Sequence, residues 1–102
     1  MRTILLLLFL ISCGKKENTF PLVASCRWAP HYGECRLLNS TNKKISCDYN
    51  SVATTVSGFQ IKYSQKVFLY EGMSAWNWAR AINPWVDPIV TMYGVAKCSD
   101  VQ

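Results

Sequence analysis

Between Phe59 and Tyr70 the chain alternates. Phe59, Ile61 and Tyr63 alternate with Gln60 and Lys62, and Val67 and Leu69 alternate with Lys66, Phe68 and Tyr70. A period of two is the pattern of a strand with one face turned to a core. Residues 51–70 are rich in Val, Thr, Phe, Ile and Tyr. Gly58 and the Ser64-Gln65 pair mark turns or bulges, so the region reads as two or three antiparallel strands of a meander. Residues 89–96, after Pro88, read as a last strand leading to Cys98. Between them the signals change. Ser74 is a good helix cap, residues 75–82 form the helix body, and Pro84 stops it, with Asn83 before the proline biased away from helix. On such a helix Trp78, Ile82 and Trp85 stack on one side, with Trp76, Ala79 and Arg80 beside them. Trp76 and Trp78 then point about 200° apart, so the two do not both face the core. The expected fold is a small β-rich (α+β) domain: an antiparallel meander with one short helix. No internal repeat is present.

The start of the chain has a different pattern. Arg2 gives a cationic tip, residues 4–11 are an unbroken apolar run, and Ser12 is a small residue at its end. Eight residues of helix reach about 12 Å, short of the ~20 residues that span a bilayer. A positive tip on a short apolar run ending at a small residue is an export leader. Residues 14–21 are polar and without periodicity, which is tether composition. The folded part is therefore expected from Leu22.

Leu10-Ile11-Ser12-Cys13, followed by Gly14, resembles the lipobox of bacterial lipoprotein precursors. Leu10 takes the aliphatic place three before the cysteine, Ser12 the small place before it, and Gly14 the place after it. The resemblance covers about 14 residues and is silent on the domain behind them. It implies a signal peptide at 1–12, cleavage before Cys13, diacylglycerol on the Cys13 sulfur, and acylation (palmitate or a similar chain) of the new amine. A thiolate is the nucleophile that such a transfer needs, and two or three acyl chains hold firmly where one does not. In this family Asp after the cysteine favours retention at the inner membrane. Gly14 is not Asp, and the resemblance points to the outer membrane, facing the periplasm. The expected organisation is a leader at 1–12, a flexible tether at 13–21 and a small disulfide-stapled domain at 22–102.

Four cysteines follow: Cys26, Cys35, Cys47 and Cys98. An even count behind an export leader implies two disulfides. Three pairings are possible. Cys26–Cys35 with Cys47–Cys98 is favoured, the first pinning a short segment with Trp28, Pro30 and Gly33, the second tying the end of the chain to its middle. A domain this small depends on such staples. Metal is the other use of cysteines, but gaps of 9, 12 and 51 residues do not suit zinc pairs spaced two to four apart, and His31 does not complete a finger or ribbon. No metal and no cofactor are expected.

Composition narrows the function. Half the residues are apolar and 17% are charged, which is globular rather than disordered. The formal net charge is +5, but the cations are scattered rather than striped, so no nucleic-acid partner is expected. Glu17, Glu34, Asp48, Glu71, Asp87 and Asp100 are dispersed, and no nucleophile elbow, zinc-protease helix motif or phosphate loop occurs. His31 four residues before Cys35 imitates a cysteine–histidine dyad, but a disulfide-bonded Cys35 is no nucleophile. An enzyme is not expected.

The aromatic load points to recognition. Trp28, Tyr32, Trp76, Trp78 and Arg80 are the candidate binding residues, because tryptophan, tyrosine and arginine dominate protein-binding hot spots and arginine stacks on rings. The expected partner is another envelope protein, with the chain held at the membrane by its N-terminal lipid. The expected role is a binding or inhibitory protein. Two alternatives are a structural subunit of an envelope secretion or conjugation assembly, adding a strand along residues 59–70, and a peptidoglycan or carbohydrate module stacking sugars on Trp28, Trp76 or Trp78. If Cys13 were instead incidental in a secreted eukaryotic chain, Asn39-Ser40-Thr41 would be a glycosylation sequon.

Overall fold

The structure is a computed structural model that describes residues 19–101. The expected leader, the lipidation residue Cys13 and residues 14–18 of the tether lie outside the described residues. Seven strands follow one another: β1 (Thr19–Val23), β2 (Ser25–Ala29), β3 (Tyr32–Leu38), β4 (Ile45–Thr55), β5 (Gln60–Leu69), β6 (Ser74–Arg80) and β7 (Ile89–Asp100). They form two antiparallel sheets, one in the order β1-β7-β4-β5 and the other β2-β3-β6.

The two sheets stack through small side chains. Ala53, Ala79, Ala96, Ser51, Cys35, Cys47 and Cys98 are buried between them with Leu37, Ile45, Met92 and Tyr49. β1 and β2 are nearly one strand. It lies on β7 as far as Val23, turns at Ala24, whose amide donates to the Gly94 carbonyl at 3.0 Å, and continues on β3. This short bend carries the chain from one sheet to the other and closes that side of the sandwich.

Each sheet carries one disulfide between directly opposed residues of neighbouring strands. Cys26 on β2 is bonded to Cys35 on β3, and Cys47 on β4 to Cys98 on β7. This is the favoured pairing. A covalent link between facing residues fixes strand register, and a slip by one residue would turn every core side chain outward.

The expected helix at 75–82 is absent: Ser74–Arg80 is strand β6, paired with β3 from Leu38–Ser74 to Tyr32–Arg80. Its side chains alternate, with Ala75, Asn77 and Ala79 inward and Trp76, Trp78 and Arg80 outward. An eight-residue helix is marginal alone, whereas β6 gains a full ladder and places its small residues in the thin core. The alternation continues without a turn through Ser64-Gln65, so residues 60–69 are one strand rather than two. The hairpin turn lies earlier, at 56–59, where Gly58 has a φ of 92°. β7 inserts between β1 and β4, so the sheets form a sandwich and not a simple meander. Thr19–Pro21, expected in the tether, belong to β1.

At the end of the sandwich where β1 begins, Asn39 is fully buried. Its Nδ2 donates to the carbonyls of Lys43 (2.7 Å) and Leu69 (2.9 Å), and its Oδ1 accepts from the Thr41 amide (3.0 Å). Both amide hydrogens are used, so the folded domain has no room for a glycan on this sequon.

Candidate functional site

β2, β3 and β6 present one outer face, and the register fixes which side chains share it. Ala29, Tyr32 and Arg80 form one cross-strand row, Arg27, Glu34 and Trp78 the next, Ser25, Arg36 and Trp76 the third. Side chains two apart on a strand lie on the same side, about 7 Å from each other. The strand assignment therefore reverses the expectation for the two tryptophans: Trp76 and Trp78 share one face and both are exposed.

Glu34 is the polar centre of this face. Its carboxylate accepts from Arg27 Nε at 2.6 Å and from the Tyr32 hydroxyl at 3.0 Å. The Glu34 side chain is largely covered while that of Arg27 is open to water. Burial, and then the bond to the Glu34 carboxylate, push the Tyr32 hydroxyl above its ordinary pKa. Arg36 is held separately, its Nε donating to Ser74 Oγ at 2.9 Å. Arg27, Arg36 and Arg80 thus surround a single carboxylate, and the face is cationic. Two open depressions lie on it, one of about 230 Å³ lined by Ser25, Cys26, Arg27, Glu34, Arg36 and Trp76 and one of about 310 Å³ lined by Arg27, Trp28, Ala29, Tyr32 and Glu34. They are at or below the small end of the range for small-molecule sites.

Neither a family model, nor a curated protein, nor a solved structure matches this chain.

Tyr32, Trp76, Trp78 and Arg80 share this outer face. Trp28 pairs with Gly33 and starts from the opposite side of β2, but β2 is an edge strand, and Trp28 is exposed there and lines a depression with Arg27, Tyr32 and Glu34. Arg27, Glu34 and Arg36 complete the face and were not among the expected binding residues. Their alternation in Arg27-Trp28-Ala29 and Glu34-Cys35-Arg36 carried the signal, because Cys26 and Cys35 already mark the inward positions. The disulfide that joins those two cysteines lies under the face, beneath Arg27 and Glu34, and holds β2 to β3.

The edge expected to add a strand is partly occupied. Gln65 Nε2 donates to the Trp76 carbonyl at 2.9 Å and to Asn77 Oδ1 at 2.5 Å, and Asn77 Nδ2 reaches the Tyr63 carbonyl at 3.4 Å. These bonds bridge β5 to β6 across the corner of the sandwich, where an added strand would have to pair.

Proposed function

We propose that the chain is a lipid-anchored envelope protein that binds another envelope protein through the outer face of β2, β3 and β6, as a binding or inhibitory protein without catalytic activity of its own. The observation that carries this reading is the face itself. Two exposed tryptophans, a tyrosine and three arginines on three paired strands, ordered around Glu34, have the composition of a hot spot. Its shallowness suits a protein surface better than a small ligand. The Arg27–Glu34–Tyr32 network holds side chains in place before binding, which reduces the ordering cost of association. Its positive charge favours an acidic partner and speeds the encounter. The N-terminal lipid on Cys13 would keep the domain at the outer membrane on the periplasmic side.

The test is capture of envelope proteins in mild detergent by the full chain, in parallel with Trp76→Ala/Trp78→Ala. At about 2 kcal/mol for each hot-spot side chain, the double variant should lose its partner by 100-fold or more. A partner held equally by the double variant, or no partner above background, removes the reading. The intact mass of the membrane form, beside Cys13→Ser, tests the anchor separately.

A second reading, a peptidoglycan or carbohydrate module, is favoured by the placement of the Trp76 and Trp78 rings on one side of one strand. It requires soluble wall fragments to quench tryptophan fluorescence in the wild type and not in the double variant.

A further inference from the structure

At the end of the sandwich opposite the start of β1, three turns meet. They are the β2–β3 turn at Pro30-His31, the β4–β5 turn at 56–59, and the β6–β7 connection at 81–88. Hydrogen bonds tie them together: Ala81 N to His31 O (3.0 Å), Ile89 N to Pro30 O (2.9 Å) and Val56 N to Pro88 O (3.0 Å). Asp87 adds a side-chain clasp. Its carboxylate accepts from Thr55 Oγ1 (2.8 Å), Ser57 N (2.8 Å) and Ser57 Oγ (2.6 Å). Beside the exposed polar residues His31, Ser57 and Asn83, these turns present a set of large apolar side chains. Trp85 is 94% exposed and Ile82 82%, and Val86, Val56 and Phe59 are exposed beside them in the sequence of the same turns.

We propose that this tip is a membrane-contacting element that seats Trp85, Ile82 and Val86 in the interface of an anionic bilayer. Four observations favour lipid over a protein groove or a second copy. The apolar side chains stand on three adjoining turns and are almost fully exposed at Trp85 and Ile82, and a fluid phase accommodates such side chains without needing a matching cavity. The 81–88 connection contains one ionisable residue, Asp87, and its carboxylate is spent on Thr55 and Ser57 rather than facing outward. Arg80 stands immediately behind the apolar turn on a chain of net charge +5, complementary to anionic headgroups. A tryptophan at the extreme of the tip, with aliphatics beside it, is interfacial chemistry.

The inference does not rest on the anchor at Cys13. It adds a geometric consequence if that anchor exists. β7 alone is about 40 Å long, and residues 14–18 span at most about 20 Å. An anchored chain therefore reaches its own bilayer with the tip only by lying along it.

The test uses the full chain with vesicles of phosphatidylcholine containing phosphatidylglycerol, in ordinary and brominated form. Subtracting the emission of Trp85→Phe from that of the wild type isolates Trp85, and Trp78→Phe isolates a tryptophan away from the tip. The expected result is that brominated lipid quenches most of the Trp85 emission and shifts it to the blue, while Trp78 is unaffected. Ile82→Asp/Val86→Asp should abolish the Trp85 quenching. Trp85 emission that is unchanged by brominated lipid overturns the proposal. So does quenching of Trp78 in its place, which would put the sheet face on the membrane. A blue shift of Trp85 that grows with protein concentration in the absence of lipid assigns the tip to a second copy, and also overturns it. A wild-type chain that carries no lipid, with Trp85 quenching still seen, would remove the anchor reading and leave the tip proposal standing.

Discussion

Gly94 of β7 lies directly against Cys35 of β3, across the interface between the two sheets: a Cβ on Gly94 would stand 3.2 Å from Cys35 Cβ and 3.3 Å from its sulfur, and 3.1 Å from Ala24 Cβ. All three neighbours are stiff, being first side-chain atoms or part of a disulfide. Gly94→Ala should therefore destabilise the domain by about 1–3 kcal/mol, and Gly94→Val by more. Gly33→Ala also meets a neighbour, Met92 Sδ, but that atom belongs to a flexible side chain that can turn aside. Denaturant unfolding of both variants should show Gly94→Ala as the costlier change.

Tyr49 is the largest fully buried side chain. Its hydroxyl makes no hydrogen bond of good geometry, and burial pushes its pKa up to about 12, opposed by the nearby Asn77 backbone, which favours the phenolate. A folded value above the ordinary 10.0 means that the neutral hydroxyl is favoured by the fold. Its contribution is complete below pH 10 and is lost as pH rises through the folded value, by roughly 2–3 kcal/mol. Tyr49→Phe should change stability at pH 7 by no more than about 1 kcal/mol. It should flatten the alkaline fall between pH 10 and 12, read as unfolding midpoints across that range. An unaltered alkaline fall in the variant would assign it to other groups.

Asn39→Ala strips the carbonyls of Lys43 and Leu69 and the amide of Thr41 of their partner in a closed turn. The expected cost is about 2–4 kcal/mol. It should be accompanied by faster hydrogen exchange of the Gly72 and Thr41 amides, which lie in the turns that Asn39 joins. A variant as stable as the wild type would mean that water replaces the side chain.

The two disulfides should not be equivalent. Cys47–Cys98 closes 51 residues and Cys26–Cys35 closes 9. By loop entropy, losing the first costs about 4 kcal/mol and losing the second about 3 kcal/mol. Paired serine substitutions, compared by thermal unfolding, should rank them in that order. Removing Cys26–Cys35 should in addition loosen the Arg27–Glu34 face above it, and so weaken partner binding more than its effect on stability alone.

Local sequence determined a good deal. Alternation marked the two halves of β5 as strand, residues 89–96 read as the body of β7, and an even number of cysteines from Cys26 onward set the number of staples. Tyr32, Trp76, Trp78 and Arg80, singled out by residue type, share one outer face. These properties are legible because each depends on a side chain and its near neighbours along the chain. Tertiary structure decided the rest. The helix-favouring residues Ala75, Ala79 and Arg80 contribute only a few tenths of a kcal/mol each, and the seven-residue pairing of β6 with β3 outweighs them. No local signal could count that ladder, because its other half lies 36 to 48 residues away. The same holds for the cationic face, assembled from three strands, and for the apolar tip, assembled from three turns. Composition supplied their residues, and only the closing of two sheets over a core of small side chains brought them together.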